Sequence, residues 1–366
     1  MTNYTFGFIG LGLIGGSIAK ALRRVMPDCR IIAYNRSEKP RIMALNDGTA
    51  NIVTDVVDDR FSECDYIFLC TPVERNVEYL TVLKDIIDNG TIITDVGSVK
   101  GNIHKAVEEL GLEASFIGGH PMAGSEKTSY EHASDRLCEN AYYAITPTSK
   151  VKRKYVDELI EIVTSISAIP VELTYQEHDM VVAAISHLPH LIAADLVNLV
   201  KESDSPNGYM KMIAAGGFKD ITRIASSSPD MWEQICMTNN SNISVLLQKY
   251  IDMLIETKKS LDEKHGYEIN RKFEMSREYR DSFEDRTNSI IKKTYSVYCD
   301  IIDESGAIAT IATILATNGI SIKNIGIVHN REFEEGVLKI EFYDKKSADD
   351  TVTLLERHRY DVKARR

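Results

Sequence analysis

The sequence predicts an α/β chain in three parts: a doubly wound, mostly parallel sheet, an all-α segment, and a small βαββαβ sandwich. Three observations carry this expectation. Short apolar runs alternate with helical periodicity from Tyr4 to Leu173; helical patterning then dominates from His178 to about Lys264; strand alternation returns at Tyr295. The expected boundaries are 1–172, 173–285 and 294–366. With 366 residues, 43% of them hydrophobic and 27% charged, the chain can bury more than one core.

The first element is a strand, Tyr4 to Ile9, followed by Gly10-Leu11-Gly12-Leu13-Ile14-Gly15 and a helical run from Ile18 to Val25. A G-x-G-x-x-G pattern between strand and helix marks a Rossmann-type dinucleotide site. The first glycine permits the turn, the second admits the pyrophosphate, and the third lets helix pack on strand. The next strand, Ile31 to Tyr34, ends in Asn35-Arg36, where an acidic residue would favour the ribose of NAD. Asn35 suits a ribose and Arg36 a 2'-phosphate or the face of an adenine, so the residues lean towards NADP and leave the choice between NAD and NADP open. Tyr66 to Cys70 is a strand ending in Thr71-Pro72, two further expected cofactor contacts; Val77 to Ile87 is helical and Thr91 to Val96 a strand leading to Gly97-Ser98.

After the helix Gly101 to Leu110, a short strand at Ser115 to Ile117 leads into Gly118-Gly119-His120-Pro121. A histidine preceded by two glycines and followed by a proline is approached closely on one side and fixed in direction on the other, which suits a positioned base. The bland alternative is a tight turn whose histidine bonds a neighbouring loop. Ala141 to Thr146 closes the alternation, Lys154 to Ile166 is an amphipathic helix, and Ile169 to Leu173 an extended crossing piece. Ser98 and His120 both fall at carboxyl ends of strands, where such sheets bind ligands.

In the helical segment Pro189 removes a backbone donor and predicts a bend near Ile185 beside His187 and His190. The apolar stretch Met180 to Val200 is broken by His187, Pro189, His190 and Asp195, which predicts a buried helix of a soluble protein over a membrane span. Ala214-Ala215-Gly216-Gly217 reads as a hinge entering a helix with Lys219 and Arg223 on one face, where solvated surface charges are the plain alternative. The size and apolarity of the segment predict a homodimer core. Thr257 to Lys293 is charged and reads as a helical connector.

A net charge of -11 argues against nucleic acid and membrane partners. Six cysteines without metal-ligand spacing, and an N-terminus that enters a strand at once, predict no metal, a reducing compartment and a cytoplasmic protein.

The motifs Gly10 to Ser17, Asp95-Val-Gly-Ser98-Val-Lys, Gly119-His120-Pro-Met-Ala-Gly-Ser-Glu126, Ser186-His187-Leu-Pro-His190 and Gly216-Gly-Phe-Lys-Asp-Ile-Thr-Arg223 together resemble the prephenate dehydrogenase family. The tail resembles, on a looser pattern, a ferredoxin-like ACT domain. The resemblance implies oxidative decarboxylation of prephenate with a nicotinamide dinucleotide. It implies that His120 accepts the hydroxyl proton, that Ser98 aligns hydroxyl and histidine, that Arg223 anchors a carboxylate, and that His187, Glu126, Gly216 and Lys219 line the pocket. His190 reads as structural. For the tail it implies an amino-acid effector, tyrosine, at Ser305, Gly306, Ala307 and Ile308 with Asn324. Glu126 could meet the amino group of arogenate, so arogenate dehydrogenase stands as an alternative. A β-hydroxyacid dehydrogenase would carry a catalytic lysine motif on a helix, which this chain does not match, and a non-catalytic amino-acid sensor would have no use for Ser98, His120 and Arg223.

Overall fold

The structure, a computed structural model, describes residues 4–88, 90–124, 129–290, 295–301, 306–328 and 336–364. Glu126 and Ser305 therefore lie outside the described residues. The chain divides into two compact units, Met1–Ile255 and Glu256–Arg366.

The first unit is built on an eight-stranded sheet. Its strands are β1 (Thr5–Ile9), β2 (Arg30–Tyr34), β3 (Ile52–Thr54), β4 (Tyr66–Leu69), β5 (Ile92–Asp95), β6 (Phe116–Pro121), β7 (Tyr142–Pro147) and β8 (Ile169–Glu172). They lie in the order β3-β2-β1-β4-β5-β6-β7-β8, and every neighbouring pair is parallel except β6 with β7. Chain direction across the sheet reverses between β1 and β4, which opens a crevice at their carboxyl ends.

Alternation along the strands divides the core in two. Phe6 and Phe8 of β1 and Tyr66 and Phe68 of β4 face the helices Leu13–Val25 and Arg153–Ser165, with Phe8 and Phe68 stacked at 5.0 Å. Ile9, Ile67 and Leu69 face the other side, against Leu80, Leu83 and Ile103 from the helices Val73–Lys84 and Gly101–Leu110. Both faces of each central strand are thus buried, as a parallel sheet covered on two sides requires.

The strand carrying the histidine is longer than its sequence suggests. Gly118, Gly119 and His120 continue β6 and pair with Thr146, Ile145 and Ala144 of β7. Two glycines are needed because a Cβ on Gly119 would sit 2.6 Å from the Asp95 carbonyl oxygen, and one on Gly118 would strike His104 and Thr146.

A helical run, Tyr175–Ser203, follows β8 and contains a π-helical turn at Ala183–His187, two residues before Pro189. The missing proline donor accounts for the break in regular bonding. This run is long and apolar enough to cross a membrane, yet only 28% of its most apolar 18-residue stretch is buried. The expectation of a buried helix is corrected: Ile185 and Leu199 are exposed, and shorter helices at Tyr209–Ile213, Gly216–Thr222 and Pro229–Thr238 precede a long one at Asn240–Asp262.

The second unit contains the helix Gly266–Ile290 and the strands β9 (Tyr295–Ile301), β10 (Asn324–Val328), β11 (Gly336–Phe342) and β12 (Val362–Ala364). They form an antiparallel sheet in the order β10-β11-β9-β12, crossed by the helices Ala307–Thr317 and Lys345–Arg357. Val297, Cys299, Leu338 and Ile340 pack with Ile311, Leu315 and Leu355 into a core of their own.

The glycine turn separates packing from binding. A Cβ on Gly15 would collide with the Gly10 carbonyl and the Cys70 side chain, whereas one on Gly12 meets nothing within 4 Å. Gly15→Ala is expected to lower stability in urea by roughly 1–3 kcal/mol. Gly12→Ala is expected to change it by less than about 0.5 kcal/mol.

Candidate active site

Gly10 adopts φ +106° at the end of β1, and its amide donates to Tyr34 O at 2.9 Å. The turn delivers Gly12, Leu13 and Ile14 to the start of the helix Leu13–Val25, whose first turn carries no acidic residue. Free amides and a positive dipole end therefore face the crevice. The Asn35 Oδ1 accepts from Leu11 N at 3.0 Å and its Nδ2 donates to Ser37 O at 3.2 Å, so this side chain braces the glycine turn, while Arg36 is exposed beside it. Across the crevice Thr71 donates through both its amide and hydroxyl to Asn76 Oδ1, and the buried Asn76 Nδ2 has no partner among the described residues. Open space over Gly12 and an orphaned donor behind Thr71-Pro72 fit a dinucleotide.

Beside this crevice Asp95 ends β5, and Gly119, His120 and Pro121 of β6 run past it. Asp95 accepts from Gly119 N at 3.1 Å and Gly97 N at 2.8 Å and pairs with Lys100, whose Nζ also donates to Gly119 O at 2.7 Å. Lys100 and Asp95 are both buried. Ser98 lies half-buried in the loop between them.

The helical run supplies the next layer. Thr174 and Glu177 form a capping box, which fixes the start of the helix immediately before His178 and Asp179. Asp179 accepts from Lys100 N and Gly101 N, both at 2.8 Å, and so caps the helix Gly101–Leu110. His178 Nδ1 meets Asp179 Oδ1 at 2.8 Å, and His178 Nε2 meets His120 Nδ1 at 2.8 Å. Burial first, then the neighbouring His178, Lys100 and His187, hold the His120 imidazole well below its usual 6.5. It is therefore neutral at pH 7, as a proton acceptor must be.

His187 is buried, bonds Asn239 Nδ2 at 3.1 Å through Nδ1, and is held at about 4 mainly by desolvation. His190 lies one helical turn after Ser186. It is half-buried, stacks on Trp232 at 3.7 Å, bonds Ser186 O at 2.8 Å, and feels the charge of Arg223. Arg223 follows the helix Gly216–Thr222 directly, and both it and Lys219 are exposed; Gly216 opens that helix. The buried Trp232 Nε1 has no hydrogen-bond partner among the described residues. His178, Asp179, Asp95, Lys100, Asn239 and Trp232 are the residues that sequence reasoning left without a role. The capping box ahead of His178 was the available signal for two of them.

A dinucleotide crevice with a neutral imidazole at the adjoining strand end defines a nicotinamide-dependent dehydrogenase. Residues 18–172 match the family described as prephenate dehydrogenase, nucleotide-binding domain, and residues 174–275 the prephenate dehydrogenase, dimerization domain. A prephenate dehydrogenase of Bacillus subtilis is 37% identical over 348 residues, 94% of each chain. The crystal structure of prephenate dehydrogenase from A. aeolicus with hydroxyphenyl propionate and NAD+ aligns with a TM-score of 0.73 at 29% identity, covering 77% of this chain and 99% of that one. That of Synechocystis arogenate dehydrogenase aligns at 0.69 and 27%, covering 76% and 99%. The chain belongs to the prephenate dehydrogenase family.

The buried histidines make stability depend on pH. His104, bonded to Thr146 Oγ1 at 2.9 Å, is also held at about 4, chiefly by desolvation. For His104 and His187 the unfolded state binds more protons, so their contribution is complete above about 6.5 and is lost as pH falls towards 4. The melting temperature is expected to fall across that window in a calorimetric pH series.

Proposed function

We propose that this chain is a prephenate dehydrogenase, converting prephenate to 4-hydroxyphenylpyruvate and carbon dioxide. The observation that carries the reading is the neutral His120 imidazole, set beside the dinucleotide crevice and backed by His178. Bound NAD or NADP would supply the hydride acceptor. His120 takes the proton of the 4-hydroxyl as the C4–H bond gives up its hydride. Cleavage of the bond to the ring carboxylate then sends its electron pair through the ring to that oxygen. His120 returns the proton, giving a phenol, and no net proton is released. Ser98 would hold the hydroxyl towards the base.

Arg223 anchors a carboxylate of the substrate, supported by its position near His190, which stacks on Trp232. The Trp232 Nε1, which has no partner among the described residues, is a donor a carboxylate would satisfy. His187 stands as a pocket residue on the family motif, and His190, whose Nδ1 donates to Ser186 O, as a structural one. Gly216, Lys219 and Glu126 stand as pocket residues on the family motif. The exposed apolar side chains of the helical segment, with an apolar cavity of about 610 Å³ lined by Val200, Tyr209, Ile213 and Phe218, suit a homodimer. Arogenate remains the second substrate reading, favoured by the likeness to the Synechocystis enzyme.

The tail we assign as a ferredoxin-like ACT domain that binds tyrosine for feedback. Support comes from the antiparallel sheet order and from Gly306, at φ +97°, opening the helix that starts with Ala307 and Ile308. Asn324 lies on β10, where its Nδ2 donates to Glu341 Oε2 at 3.2 Å.

With prephenate and each oxidised nicotinamide, formation of the reduced cofactor is the deciding assay. No turnover with prephenate or arogenate would leave the sensor reading. His120→Asn is expected to lower kcat about 100-fold or more, whereas Arg223→Ala acts mainly on KM. Arg36→Glu is expected to weaken NADP+ use more than NAD+ use in paired kcat/KM measurements. Removal of residues 294–366 is expected to abolish tyrosine inhibition and spare most turnover.

A further inference from the structure

We infer that His178 and Asp179 are positioning residues for the base: together they fix the tautomer of His120 and place a negative charge behind it. The inference rests on the reaction proposed above for its consequence, but on hydrogen-bond directions for its structure. Asp179 accepts two backbone amides at the N-terminus of the helix Gly101–Leu110. A carboxylate only accepts, so the proton on the 2.8 Å bond between His178 Nδ1 and Asp179 Oδ1 belongs to His178. A neutral His178 then offers a lone pair at Nε2. The 2.8 Å contact with His120 Nδ1 is satisfied only if His120 carries its proton there. His120 Nε2 is thereby left unprotonated, and proton uptake from the substrate falls to that atom.

The chain also answers an electrostatic difficulty. His120 sits among His178, His187 and Lys100, and burial adds to their opposition to a charged imidazolium. Lys100 is already paired with Asp95. Among the described residues, Asp179 is the carboxylate that reaches His120 through a hydrogen-bonded partner. When His120 Nε2 gains the substrate proton, its Nδ1–H bond to His178 strengthens, and the charge is spread towards Asp179. Without the relay, imidazolium formation in this buried position would be uncompensated. A His178 protonated from solvent would donate from Nε2 and force His120 into the other tautomer, which has no acceptor at Nε2. The arrangement has the logic of an acid, an imidazole and a second imidazole in series, each holding the next in register. His178 is buried and 58 residues away from His120 in sequence, and Asp179 serves the helix cap and the relay at once.

The test compares His178→Phe with His178→Gln in the full-length protein. A glutamine amide can donate to Asp179 and accept from His120 Nδ1, whereas phenylalanine can do neither. The expected result is a kcat about 100-fold lower for His178→Phe, partial recovery in His178→Gln, and a KM for prephenate within about threefold of the parent in both. Asp179→Asn is the weaker variant, because it also removes part of the helix cap. Ring-nitrogen NMR of the substrate-free protein, with the His120 signal assigned by its loss in His120→Asn, is expected to report a proton on Nδ1 in the parent and a mixture in His178→Phe. This readout needs no turnover, so a failure of the proposed reaction would leave it standing. The inference is overturned if the parent carries its proton on His120 Nε2, or if His178→Phe retains kcat within about threefold. It is equally overturned if the two variants lose activity alike and only in proportion to lost folded protein.

Discussion

The buried pair of Lys100 and Asp95 is the constraint on which the rest of the site depends. Both side chains are shut off from solvent, and the pair is tied to backbone on both sides: Gly97 N and Gly119 N to the carboxylate, Gly119 O to the ammonium. Taking two charges out of water is costly, and such pairs persist where further hydrogen bonds fix their geometry. Here they clamp the end of β5 to the strand that bears His120. An apolar pair of equal volume would fill the space but would leave the Gly119 amide and carbonyl without these partners, and the histidine would lose its fixed height above the sheet.

Much of this architecture is legible in the residues. The glycine turn at Gly10 to Gly15 is readable because its backbone needs are severe, and Pro189 announces the π-helical turn because it lacks a donor. The course of β6 is not readable in the same way. Gly118-Gly119-His120-Pro121 has the composition of a turn, and only pairing with β7, some 25 residues on, draws it out as strand. The three-residue strand β3 is too short to announce itself. His178 and Asp179 look like ordinary first-turn helical residues, since their partners are Lys100, Gly101 and His120, far away in sequence. The burial of Tyr175–Ser203 fails for a different reason: hydropathy reports what a face would prefer to touch, not what covers it.

Charge is arranged against the grain of the whole molecule. With a net charge of -11, the long-range field repels an anion, while Arg223 and Lys219 on the helical side and the amides at the crevice are short-range groups of the opposite sign. Salt shortens the reach of the repulsive field and leaves bonded contacts largely intact.

Asp179 has a mechanical consequence as well as an electrostatic one. One side chain from the helical run holds two amides of the nucleotide-binding layer, and Asn239 grips the Asp179 carbonyl at 2.8 Å from the far side. The first two turns of that run are therefore tied to the sheet through one residue. The same Asn239 Nδ2 meets His187 Nδ1 at 3.1 Å, so the π-helical turn and the end of the helix Pro229–Thr238 are tied to this anchored start as well.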